Sequence, residues 1–259
     1  MVRQSYPFGT FEFTGSMVRQ SFRLGAASVK DVAVPRSTGT TFLISKNRAI
    51  TNAHLVCDKY KILNSPSTSP LKSKCLTHTL KARFQNSSYF EVSFLAIDTS
   101  LDLAILQVPE VDKEVNIPPP CEEPLLLGQL LFLLGNPGGF MFSVKFGRFS
   151  CLRFASELLD EASLFLECEN VDIDMEYIEV DRTSKPGMSG CPIFYENGSV
   201  VGVLVGWDAR SSTTLAVSFS IVLELDKWAS MREPGSPIYF HGEIGYDSKF
   251  NLNDDDDDD

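Results

Sequence analysis

The chain has 259 residues and a formal net charge of −11, with 23 Lys and Arg against 34 Asp and Glu, so it carries no dense basic stripe of the kind that binds nucleic acid. Its 43% hydrophobic content is that of a globular protein, and no apolar run approaches the ~20 residues needed to span a bilayer. Six cysteines (Cys57, Cys75, Cys121, Cys151, Cys168 and Cys191) form no CxxC pair, and no metal site or cofactor is expected.

The start, Met1-Val2-Arg3-Gln4-Ser5, lacks the apolar stretch of a secretory signal, and the same five residues recur at Met17. Free thiols in a reducing compartment fit that start, giving an expected intracellular location, cytoplasmic or nuclear. Arg3, Arg19, Arg23 and Lys30 against Glu12 alone leave organelle import open. Phe8, Phe11, Phe13 and Phe22 make residues 1–24 an arm that either joins copies into a homo-oligomer or packs on its own domain.

Strands are predicted at 27–34 and 39–45, then after the turn Lys46-Asn47-Arg48 at 49–56, a strand ending near His54. Residues 58–74, rich in Ser, Pro and Lys, read as a surface loop. Further strands are expected at 79–84, 89–98 and 102–108, the last with Asp102 at its mouth. The Pro-rich stretch 109–124 reads as a linker between two halves.

The second half repeats the all-β pattern, with strands at 130–134, 143–152, 164–169 and 177–180. A short helical or irregular piece is expected at 156–162. Residues 191–195 and 200–205 form a hairpin around Glu196-Asn197-Gly198, and a last strand follows at 215–221. Residues 222–231 have helical spacing, with Leu223, Trp228 and Met231 as candidates for the apolar face. The six terminal Asp repel one another and are expected to form a disordered tail dispensable for activity.

Ser189 stands between Gly187 and Gly190, after Pro186 and before Pro192. Such a segment favours a tight turn that exposes a hydroxyl and aims the N–H groups of Gly187 and Ser189 at one point, the geometry of a nucleophile with an oxyanion hole. Acyl transfer by a serine also needs a base and a group to orient that base. Of His54, His78 and His241, only His54 lies in a strand-turn-strand pattern. Asp102 and Asp98 are rivals for the orienting carboxylate.

These segments carry a resemblance. Gly39-Thr40-Thr41-Phe42-Leu43-Ile44 followed by Thr51-Asn52-Ala53-His54 resembles the catalytic-His region of chymotrypsin-fold (trypsin-like) serine proteases. Asp102-Leu103-Ala104-Ile105-Leu106 is similar to their Asp segment and Pro186-Gly187-Met188-Ser189-Gly190 to their nucleophile turn. Leu127-Gly128-Gln129, Gly135-Asn136-Pro137 and Ala216-Val217-Ser218-Phe219-Ser220 resemble the HtrA/Deg branch, without its PDZ domain. The likeness spans about residues 25–231.

The resemblance implies an all-β fold of two antiparallel six-stranded β-barrels with a short C-terminal helix. The corresponding limits are 1–24 for the arm, 25–117 and 118–232 for the barrels, and 233–259 for the extension. It implies a serine endopeptidase of protein quality control or regulatory proteolysis, acting on peptides or unfolded proteins. Ser189 would be the nucleophile, His54 the base, Asp102 its orienting partner in preference to Asp98, and Gly187 and Ser189 the oxyanion donors. The primary pocket would take Thr183, Val203, Val205, Ala216 and Ser218, with Asp208 as a competing charge nearby. Met188 replaces the Asp that pairs with a newly cut N-terminus in secreted relatives, and Cys191 a Gly. The alternative function is a catalytically latent scaffold of the same fold. An α/β-hydrolase esterase fails on chain order, since its Ser precedes its His.

Overall fold

A computed structural model describes residues 24–31, 34–56, 79–84, 90–109, 117–139, 143–158, 164–166, 172–208, 211–231 and 238–240. The aromatic arm, the 58–74 loop, His78, His241 and the acidic tail lie outside these residues.

Runs of β-branched and aromatic residues form strands because such side chains pack well on a pleated surface. The first sheet holds β1 (Leu24–Asp31), β2 (Val34–Leu43), β3 (Arg48–Thr51), β4 (Thr79–Phe84), β5 (Phe90–Asp98) and β6 (Leu103–Gln107). The order is β5-β4-β1-β2-β3-β6, and β5 also pairs with β6, so the sheet curls round on itself. The second holds β7 (Leu130–Gly135), β8 (Ser143–Phe154), β9 (Leu164–Leu166), β10 (Glu176–Val180), β11 (Pro192–Phe194), β12 (Val200–Asp208) and β13 (Thr213–Ser218). Its order is β11-β7-β8-β10-β13-β12-β9, closed by β11 on β12. A four-residue helix α1 (Ala155–Leu158) follows β8, and a longer one, α2 (Phe219–Ser230), follows β13. The result is a double barrel with a terminal helix.

The lobes share apolar contacts. Phe42, Ile50, Leu103 and Ile105 of the first sheet join Val203, Val205 and Val217 of the second and Phe219 and Val222 of α2 in one buried cluster. The Phe42 and Phe219 ring centroids are 6.0 Å apart. This dual use explains the unbroken apolar run of β7. Leu131 and Leu133 face the second barrel's own core, while Phe132 and Leu134 pack against the shared cluster. Arg48 at the start of β3 adds an ion pair to Asp226 of α2 at 3.2 Å.

Several boundaries differ from those expected. β3 ends at Thr51, and His54 lies on a 3-10 turn, Ala53–Leu55. The turn forms because the Asn52 side-chain amide and the Ala53 N–H both donate to the Asp102 carbonyl, at 2.9 and 3.0 Å, in place of ladder bonds. β6 starts after Asp102, not on it. Residues 219–221 begin α2 instead of ending β13. The helix buries Phe219, Val222 and Leu225, three residues apart, whereas Met231 lies beyond its end and is 64% exposed. The extension after the helix contributes β14 (Ile238–Phe240), which pairs parallel with β5 and thus returns to the first lobe.

Candidate active site

Five chain segments meet where the lobes join. The 3-10 turn presents His54, whose Nδ1 lies 2.6 Å from Asp102 Oδ2. A carboxylate only accepts, so Nδ1 is the donor and the lone pair of the neutral ring is on Nε2. The second oxygen, Oδ1, accepts the His54 backbone N–H at 2.8 Å. Asp102 is fully buried and sits at φ 54, a left-handed conformation that costs a non-glycine residue about 1–2 kcal/mol. Its carboxylate and carbonyl together accept four bonds from Asn52, Ala53 and His54, which over-determine that conformation. Asp98 is occupied elsewhere: its Oδ1 accepts from the amides of Ser100 and Leu101 and from the Ser100 hydroxyl.

Ser189 is partly exposed on a turn that needs positive φ at both flanking glycines, 94° at Gly187 and 80° at Gly190. The Met188 N–H donates to Lys185 O and the Cys191 N–H to Met188 O, which fixes the turn. Met188 itself is buried in the second barrel's core beside Leu131, Cys191 and Ile193, so an apolar anchor holds the turn from beneath. Among the described residues, no acceptor lies on the Gly187 or Ser189 N–H. These two amides are the pair expected to hold an oxyanion.

β2 brings this turn to the His54 turn. The Thr40 N–H donates to Ser189 O at 2.8 Å, and Thr40 Oγ1 donates to Gly187 O at 2.9 Å while accepting the Asn136 N–H at 3.1 Å. A Cβ built on Gly39 would meet Leu55, the neighbour of His54, on one side and lie 3.0 Å from Ser189 O on the other. Gly138 N–H donates to Pro186 O at 2.8 Å, so the Asn136 loop braces the same turn. Thr40, Asn136 and Gly138 were not expected at the site. Gly39-Thr40 reads in sequence as an ordinary strand start, and nothing local marks its hydroxyl as a bridge.

The trypsin-like peptidase domain model matches residues 39–203, more than half the chain. The chain belongs to that family. It is 31% identical over 172 residues to the serine protease Rv3671c of Mycobacterium tuberculosis, covering 65% of this chain and 36% of that one. It is 27% identical over 204 residues to a probable periplasmic DegP-like serine endoprotease of Halomonas elongata, covering 78% and 36%. It therefore spans about a third of these relatives' length. The crystal structure of the active form of Rv3671c protease superposes with a TM-score of 0.63 at 21% identity, covering 85% of this chain and 86% of that one, which shows the chymotrypsin-like double-barrel fold. The serine endoprotease from Yersinia pestis gives 0.59 at 16% identity, covering 82% and 64%.

The pocket residues expected for a trypsin-like peptidase lie in different surroundings. Thr183 is exposed, its hydroxyl donating to Ser212 O at 3.0 Å. Val203 and Val205 are buried in the shared cluster and Ala216 in the second barrel's core. Ser218 is half-buried beside Ser220. Asp208 is buried at the end of β12, in a cleft of about 510 Å³ that it lines with Arg153 and Glu179. Cys191 is wholly buried, and burial pushes its thiol up, away from the reactive thiolate. Among the described residues no group of His, Cys, Asp and Glu could hold a metal ion.

The junction also predicts a stability effect. A Cβ on Gly190 would lie 2.4 Å from Thr40 O and 2.8 Å from Thr51 Oγ1, and Gly190 has φ 80. Backbone cannot yield as a side-chain tip can, so Gly190→Ala is expected to cost about 2–4 kcal/mol. Thermal unfolding should drop by roughly 5–15 °C for a domain of this size. An unchanged melting temperature would show that the two turns are not wedged together.

Proposed function

We propose that the chain is a serine endopeptidase in which Ser189, His54 and Asp102 act as one unit. The observation that carries this is the 2.6 Å contact of Asp102 with His54 Nδ1, which puts the lone pair of the neutral ring on Nε2, the basic nitrogen that takes a proton. Ser189 Oγ attacks the peptide carbonyl carbon and passes its proton to Nε2. The carbonyl pair moves to oxygen, and the Gly187 and Ser189 amides hold the charge. Collapse breaks the C–N bond, the imidazolium protonates the leaving amine, and water repeats the sequence to release the acid. The site's own side chains supply each of these proton transfers.

A fluorophosphonate probe tests this directly. The wild type should be labelled on Ser189, located by tandem mass spectrometry, and Ser189→Ala should not. A latent scaffold predicts no labelling of folded wild-type protein. The buried, doubly bonded Asp102 speaks against it, because that carboxylate has been placed on His54 at the expense of backbone strain.

For specificity we propose cleavage after small or medium aliphatic residues such as Val, Ala or Leu. Thr183 offers no charge, and apolar burial at about 25 cal/mol per Å² favours an aliphatic side chain. One methylene changes selectivity by only about 1–3 kcal/mol, so preference should be loose. Dominant cleavage after Arg or Lys in a peptide-library digest would refute the uncharged pocket.

A further inference from the structure

β12 has two long edges. β13 pairs along one of them. Along the other lie two separate partners, β11 against residues 200–203 and β9 against residues 206–208. The Ser189 turn enters between them. Gly190 N–H donates to Leu204 O, and Leu204 N–H donates to Cys191 O, both at 3.0 Å. Ser189 thus stands on the β12 edge just where β11 ends.

An extended peptide binds a sheet most simply by adding to a free edge, main chain to main chain. A peptide with its carbonyl at Ser189 that continues along this edge would run past Val205 and then onto Gly206, Trp207 and Asp208. Those three positions are already paired, with Leu166, Phe165 and Leu164 of β9. Against β13 the register shifts between Leu204 and Gly206, so Val205 is a bulged residue with no partner there either. Among the described residues, the open edge beside Ser189 is about one residue long.

Resting on the assignment of Ser189 as nucleophile, we propose that β9 is a built-in strand that occupies the peptide-binding edge of β12 and limits how much extended substrate the site takes. Substrates reaching one residue along the edge bind with β9 in place. Longer ones bind only to the fraction of molecules in which β9 has left the edge, and their apparent affinity falls by that fraction. The device determines substrate length, in contrast to the side-chain preference set near Thr183.

Two substrates separate the cases: the thiobenzyl ester of acetyl-Val, and a blocked octapeptide with Val at its centre. The variant is Phe165→Pro with Leu166→Pro. Successive strand N–H groups point to opposite sides, so one of the two prolines removes a donor that faces β12. Its kcat/KM for the octapeptide should rise about tenfold while that for the ester stays unchanged. An equal change on both substrates, or none, overturns the proposal. Wild-type protein provides a second measurement that no folding defect can cloud. On reaction with a tetrapeptidyl phosphonate, the amides of 164–166 should lose hydrogen-exchange protection, and with a fluorophosphonate lacking a peptide they should keep it. Retained protection in the tetrapeptidyl adduct also overturns it. If the fluorophosphonate labels no Ser189 at all, the nucleophile assignment fails and the proposal falls with it; labelling without a length effect removes β9 alone.

Discussion

Ser189→Ala is expected to lower kcat for peptide hydrolysis about 10⁶-fold, because members of such a triad act as a unit and loss of the nucleophile costs nearly as much as loss of all three. The fold should survive. The structural contacts of the turn are made by the backbone: Ser189 O accepts the Thr40 N–H, and the flanking glycines supply the positive φ. Alanine keeps both. The expected result is therefore an inactive protein with an unchanged melting temperature, read by peptide cleavage and thermal unfolding side by side. Full cleavage by purified Ser189→Ala protein would sink the assignment.

Asp102→Asn should cost about 10⁴ in kcat, and it isolates the role of one proton. Asparagine tolerates φ near 54, so the strained backbone at this position is not lost. Its single carbonyl oxygen must face the His54 backbone N–H, which can only donate. That turns the NH₂ group toward Nδ1, which must then accept. The proton of the neutral ring moves to Nε2, and the nitrogen that is proposed to take the Ser189 proton is no longer a base. Activity within tenfold of wild type would mean that the Asp102 contact does not set the tautomer. Asp98→Asn serves as the control and should leave kcat unaltered, since its carboxylate serves the Ser100 turn.

The pattern of β-branched and aromatic runs made the all-β class legible, along with most strands, because a strand's periodicity depends on its own residues. Ends were harder to place. The strand after Asn47 was expected to run to Val56, but Asn52 and Ala53 bond to the Asp102 carbonyl, fifty and forty-nine residues away in sequence, and that long-range bond converts the strand end into a turn. Met231 fits the apolar spacing of its helix and is nonetheless exposed, because α2 ends one residue earlier and the shared cluster stops at Leu225 and its neighbours. Thr40 and Asn136 fall in segments that carry the resemblance, but nothing in the sequence marked them or Gly138 as braces, since a hydroxyl or a backbone amide bonds whatever the fold brings near it.

By itself the sequence determined the chemistry on offer: one serine between two glycines, one histidine in a strand-turn-strand context, two candidate aspartates, and enough apolar content for two cores. The resemblance preferred Asp102 to Asp98, but only the tertiary structure gives each carboxylate its partner, because the two lie four residues apart and differ in what stands opposite them. Asp98 turns back on Ser100, and Asp102 meets His54. The tertiary structure alone also put β9 on the edge of β12. A three-residue apolar strand can pair with any open edge of suitable length. Which edge it finds depends on where the barrel leaves N–H and C=O groups unpaired, and that is a property of the closed sheet.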